Sequence, residues 1–237
     1  MNIPAIKIFC DGADLTALRE MAQDRRISGF TTNPTLMRKA GVSNYVEFAQ
    51  QVLAAVPDRP VSFEVFADEF DAMAVQAKKM AAWGENVLVK VPITNRRRES
   101  SAALVAELSQ RARVHLNVTA LCTLEQVHTT AQALRGGASA VISVFAGRIA
   151  DTGRDPIPFM RAARAILDAS GADAELMWAS PREPLNIVQA EQAGAHIITV
   201  PPEMLKKMTL FGKDLADFSL ETVKMFQDDA AAAGYEL

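Results

Sequence analysis

Short runs of β-branched and apolar residues recur along the chain. Between them, apolar positions return every three or four residues. The runs are Ala5–Asp11, Gly29–Asn33, Val61–Ala67, Val87–Ile93, Val114–Thr119, Ala138–Phe145, Glu175–Ser180 and His196–Val200; such runs read as strands. Helical periodicity marks Tyr45–Val56, Glu69–Trp83, Leu124–Leu134 and Pro156–Ala169. Thr123 ahead of Leu124 and Asp155 ahead of Pro156 supply N-caps. Strand and helix alternate, which predicts a parallel sheet with helical crossovers. Eight such units in this length predict an α/β fold of the closed (β/α)8 TIM-barrel type rather than an open sheet. An amphipathic stretch over residues 215–231 adds a C-terminal helix, with Leu215, Phe218, Thr222 and Phe226 on one stripe. No linker, repeat or low-complexity tract interrupts residues 1–237, which read as one domain.

In a parallel barrel, alternate residues of a strand face the helices and the barrel interior. Val87, Val89, Val91 and Ile93 suit the helix-facing side, which turns Lys90 inward. The same parity turns Ser62, Glu64 and Phe66 inward on the third strand, His115, Asn117 and Thr119 on the fifth, and Ser143 and Phe145 on the sixth. Asp11, Thr31, Asn33 and Ser180 face inward at the C-terminal ends of their strands. His115 sits lower and reads as a hydrogen-bonded core residue, and Cys10 as helix-facing core. Polar groups out of water cost free energy unless paired, so this convergence at the C-terminal face predicts a site, where barrel enzymes carry theirs.

A lysine inside a closed barrel has no edge at which to reach solvent. An amine withdrawn from water favours its neutral form, the nucleophile that attacks a ketone. Lys90 is therefore a Schiff-base candidate. The structural alternative is an ion pair of Lys90 with Glu64 or Asp11, although buried pairs are weak sources of stability.

Composition adds exclusions. Hydrophobic residues are 49 % and charged residues 22 %, and the net charge of −3 suggests neither a nucleic-acid nor a membrane partner. Two cysteines, Cys10 and Cys122, make no disulfide framework, and a reducing cytoplasm is the expected compartment. The first ten residues read as a strand, not a signal peptide. His115, His128 and His196 show no metal-ligand spacing, and no glycine-rich nucleotide fingerprint occurs, so neither metal nor cofactor is expected. Arg96, Arg97 and Arg98 read as a solvated loop, or else as a second anion contact.

Taken in order, KIFCDGAD around Asp11, GFTTNPTLM from Gly29, SFEVFAD from Ser62, VLVKVPIT from Val87, LNVTAL from Leu116, SVFAGRIAD from Ser143 and WASPRE from Trp178 resemble the successive motifs of transaldolases. The length is similar to the short-chain branch, which includes fructose-6-phosphate aldolases. The resemblance implies a class I aldol transfer through a Schiff base on Lys90, as in the pentose phosphate pathway. It implies Asp11 as acid/base at the C4 hydroxyl, and Glu64 with Thr119 as holders of a catalytic water. It gives Asn33, Asn117 and Ser180 to the dihydroxyacetone hydroxyls, the lysine and the intermediate, and Ser143, Arg148 and Arg182 to the substrate phosphate; Thr31, inward by register, is a further substrate-binding candidate. Glu64 and Phe145 are the residues that transaldolases carry where the aldolases resemble them with glutamine and tyrosine. The implied partners are sugar phosphates and further copies of the chain, joined into a ring by the terminal helix. The alternative for that helix is packing on its own barrel.

Three activities stay open at this point. One is transfer of dihydroxyacetone from a ketose phosphate, such as sedoheptulose 7-phosphate or fructose 6-phosphate, to an aldose phosphate. That includes sugars of polysaccharide or secondary metabolism. The second is an aldolase releasing free dihydroxyacetone. The third is a non-catalytic sugar-phosphate-binding barrel.

Overall fold

The computed structural model describes residues 5–236. Eight strands close into a barrel in sequence order, each parallel to its neighbours: β1 (Lys7–Asp11), β2 (Ile27–Thr31), β3 (Val61–Glu64), β4 (Val87–Pro92), β5 (Leu116–Leu121), β6 (Ala140–Val144), β7 (Ala174–Trp178) and β8 (Ile197–Val200). The helices are α1 (Leu15–Ala22), α2 (Pro34–Lys39), α3 (Tyr45–Ala55), α4 (Phe70–Ala81), α5 (Ala102–Ala106), α6 (Leu124–Leu134), α7 (Ala146–Ala150), α8 (Pro156–Ser170), α9 (Leu185–Gln192), α10 (Pro202–Lys206) and α11 (Leu215–Ala233). The expected α/β barrel is the fold observed.

Parity explains the two apolar regions. Outward residues such as Val89, Leu116, Ile142 and Ile198 pack under the helices in one large core, which includes Cys10. Inside the barrel, Phe9, Val141, Met177 and Ile197 form a separate cluster, joined by Leu88. Phe9 stands opposite Gly29 in the β1–β2 register. A Cβ on Gly29 would come within 2.5 Å of the Phe9 ring, so only glycine lets that ring plug the barrel axis. This apolar plug is the floor on which the polar layer rests.

Two expectations are corrected. Phe66 does not face inward: β3 stops at Glu64, and Phe66 is 62 % exposed. The amides of Phe66 and Ala67 donate to Gln76 Oε1, so the chain has already left the sheet. His115 is no core residue either. It precedes β5 at the N-terminal end of the barrel, exposed, with Nδ1 meeting the Ser139 hydroxyl at 2.9 Å.

Thr123 forms a full capping box with Gln126, and the Asp155 carboxylate accepts from the Ile157 amide. None of the nineteen residues of α11 is buried, and Leu215, Phe218, Val223 and Phe226 are exposed on it. Among the described residues no helix is long and apolar enough to cross a membrane.

Candidate active site

Strand register assembles the centre of the site. Glu64 pairs with Lys90 across β3 and β4, and Lys90 with Asn117 across β4 and β5. All three therefore stand level and face inward. Lys90 is 5 % exposed. Its Nζ lies 3.1 Å from Glu64 Oε2 and donates to the Thr32 carbonyl at 3.0 Å. The end of β3 is held by Tyr45, whose hydroxyl donates to the Glu64 carbonyl at 2.8 Å while its ring packs on Phe66 and Trp83.

Above these residues a cavity of about 500 Å³ opens at the C-terminal face, and all twelve residues singled out in the sequence line it. On the β1 side, Asp11 Oδ1 accepts from the Thr31 hydroxyl at 2.6 Å. Burial pushes the Asp11 carboxyl above its ordinary range; Lys90 and the Thr31 hydrogen bond pull it down, while Glu64 and Glu203 push it further up. On the β5 side, Asn117 Nδ2 donates to Ser62 Oγ at 3.1 Å, and the Ser143 hydroxyl donates to Asn117 Oδ1 at 2.6 Å. Ser143 thus has its one proton committed to orienting Asn117, which leaves it no donor for a phosphate in this arrangement.

Thr119 Oγ1 is buried and has no protein partner among the described residues. Just beyond it, Ala120 adopts φ 67° and the β5–β6 register shifts between Val118 and Leu121. This bulge reverses the parity. Ala120 joins the cavity wall, and Leu121 turns into the helix-facing core. Asn33 is not a strand end: it caps α2, its Oδ1 accepting from the Leu36 amide at 3.0 Å, which leaves its amide nitrogen free to donate.

The cationic rim lies beyond β6 and β7. The Arg148 guanidinium sits 5.6 Å from the Phe145 ring centre, a cation–π distance. Arg182 is aimed by Asp151, which accepts from Nε at 2.8 Å and from Nη2 at 2.5 Å, and by Ser180 Oγ at 3.0 Å from Nη1. Ser180 adopts φ 62°. A Cβ on Gly147 would fall 1.6 Å from the Ser180 carbonyl oxygen, so glycine is what lets the loops after β6 and β7 touch.

Sequence reasoning passed over Thr199, Lys39 and the cavity-facing side of α2. Thr199 was visible as the one polar inward residue of β8. Lys39 lies past the stretch where strand parity applies. Arg96, Arg97 and Arg98 do not line the cavity; Arg97 instead forks onto Glu69 at 2.7 and 2.8 Å and reaches Glu99 at 3.1 Å. Burial pushes the Cys10 thiol up to about 12, which suits packing rather than reaction.

The sequence model of the family described as Transaldolase/Fructose-6-phosphate aldolase matches residues 8–237. The chain belongs to that family. It is an enzyme of the transaldolase type, and its relatives agree with the match. It is 34 % identical over 203 residues to a probable transaldolase of Dehalococcoides mccartyi, covering 86 % of this chain and 90 % of the relative. It is 33 % identical over 229 residues to a probable transaldolase of Symbiobacterium thermophilum, covering 97 % and 99 %. Among solved structures, the native KDPGal structure matches with a TM-score of 0.53 at 13 % identity over 84 % of each chain, a likeness of fold alone. Among the described residues of this transaldolase-family chain, no group of three or more His, Cys, Asp or Glu could hold a metal ion.

Proposed function

We propose that the enzyme transfers a dihydroxyacetone unit from a ketose phosphate to an aldose phosphate through a Schiff base on Lys90. The observation that carries this reading is the setting of the Lys90 amine. It is buried at the cavity wall, 3.1 Å from a carboxylate that can take its proton. Once neutral, the amine adds to the C2 ketone, and loss of water gives an iminium. Glu64 and the unpartnered Thr119 hydroxyl are suited to hold that water, because each offers a polar atom to the same cavity. Asp11 takes the proton of the C4 hydroxyl. The C3–C4 bond breaks, its electron pair flows into the iminium, and an aldose phosphate leaves. The retained enamine adds to the acceptor aldehyde, and hydrolysis frees Lys90.

Arg148 and Arg182 form the anion-binding end, where arginine matches a phosphate with several donors. Transfer is favoured over release because Glu64 is a carboxylate and Phe145 adds no hydroxyl donor near the intermediate. The exposed apolar side chains of α11 support assembly into a homo-oligomer.

Borohydride reduction with fructose 6-phosphate tests the chemistry. Mass analysis should find the adduct on Lys90 in the wild type and none in Lys90→Met. Free dihydroxyacetone formed as fast without an aldose phosphate as with one would overturn transfer in favour of the aldolase reading.

A further inference from the structure

The reaction above gives no work to the hydroxyl of Thr199, a buried polar group of the cavity. Thr31 and Asp11 are partners in the β1–β2 register, and Thr199 reaches the same spot from β8 on the other side of β1. Thr31 Oγ1 lies 2.6 Å from Asp11 Oδ1 and 2.5 Å from Thr199 Oγ1. Both hydroxyls are buried, with Thr31 1 % and Thr199 4 % exposed.

Counting protons fixes the direction of this chain. A hydroxyl carries one proton and an ionised carboxylate carries none. With Asp11 ionised, the Thr31 hydroxyl donates its proton in the hydrogen bond to Asp11 Oδ1. The contact between the two threonines must then use the Thr199 proton. Among the described residues Asp11 Oδ2 makes no protein hydrogen bond, and Asp11 lines the cavity.

We propose that Thr199 is a positioning residue for the acid/base work of Asp11. By donating to Thr31 it locks the Thr31 hydroxyl onto Oδ1, and so leaves Oδ2 as the oxygen that takes and returns the substrate proton. The inference rests on the role given to Asp11 above. A donated hydrogen bond also polarises the Thr31 hydroxyl and makes it a better donor to the carboxylate. Few groups favour the Asp11 anion. Lys90 on β4 and Thr31 on β2 do so; Glu64 on β3 and Glu203 on α10 oppose it, and Cys10 beside it is a neutral thiol. Weakening Thr31 therefore removes part of a short list.

The test compares wild type with Thr199→Val, which keeps the shape and loses the hydroxyl, and with Thr199→Ser, which keeps the hydroxyl. Three quantities are read: the borohydride-trapped adduct on Lys90, kcat and KM for transfer, and the pH profile of kcat. Thr199→Val should form adduct as the wild type does, because imine formation does not use Asp11. Its kcat should fall about tenfold, a part of the roughly hundredfold or more that a general acid–base group contributes, with KM unchanged. Its acidic limb should move to higher pH, because a less stabilised carboxylate is protonated sooner. Thr199→Ser should restore both kcat and the limb. Adding Thr31→Val to Thr199→Val should cost less than the sum of the two single changes, since both break one chain. Thr199→Ala gives the same readout should valine disturb packing. Unchanged kcat and pH profile in Thr199→Val with normal adduct, or a loss that serine does not restore, overturns this inference alone. Absence of adduct in the wild type overturns the Schiff-base reading first, and this one with it.

Discussion

Glu64 and Lys90 stand opposite each other in the β3–β4 register, and their side chains meet at 3.1 Å inside the barrel. An ion pair in this position is a poor stabilising device, because desolvation offsets most of the attraction. In the mechanism proposed above it serves as a proton-transfer pair, because an amine is a nucleophile only after it loses a proton.

Glu64→Gln keeps the shape and removes the proton acceptor. The rate of adduct formation at neutral pH should fall about a hundredfold, the usual scale for a lost general base. Quenched-flow trapping with borohydride measures that rate directly. A rate equal to the wild type's would reduce Glu64 to a counter-ion.

Asp11 gives a pH-dependent stability signature. Its folded pKa is raised, chiefly by burial. Between the unfolded carboxyl value of about 3.9 and that raised value, the native state binds more protons than the unfolded state. Its contribution to stability therefore falls as pH rises through this window and stays unfavourable above it. Asp11→Asn removes the penalty and keeps an acceptor for Thr31. The variant should gain about 1 kcal/mol at neutral pH, the scale of active-site trade-offs, and lose turnover. Thermal melts across the pH range should show that gain shrinking toward acid. A gain that grows toward acid contradicts the assignment.

Gly147→Ala forces a Cβ into the space of the Ser180 carbonyl. One of the two loops must shift, at about 1–3 kcal/mol for overpacking of this kind. Arg182 is aimed by Ser180 and Asp151, so it should move with the loop. KM for a phosphorylated substrate should rise several-fold while adduct formation with saturating dihydroxyacetone stays the same. Steady-state kinetics with both substrates separates the two effects.

The face of α11 predicts assembly. Sedimentation should find the wild type larger than one chain. Phe226→Glu together with Leu215→Glu should shift it to the monomer without changing the barrel's circular dichroism, because neither side chain is buried in the single chain. A monomeric wild type would contradict the oligomer.

The sequence by itself determined the barrel, the inward face of Lys90 and twelve of the residues around the cavity. The reason is that alternation along a strand is local: each of Lys90, Glu64 and Asn117 takes its side from its immediate neighbours. The same logic failed where the strand itself ended or slipped. Phe66 lies past the end of β3, so parity no longer applied to it, and the slip of β5 after Val118 carries no mark in the alternation. Only the tertiary structure decided which polar groups meet. That Ser143 commits its proton to Asn117 and that Thr199 closes the chain on Asp11 depend on register between strands, and that Asp151 aims Arg182 depends on the meeting of the loops after β6 and β7. Distances across the barrel follow from closure of the sheet, and no local pattern encodes them.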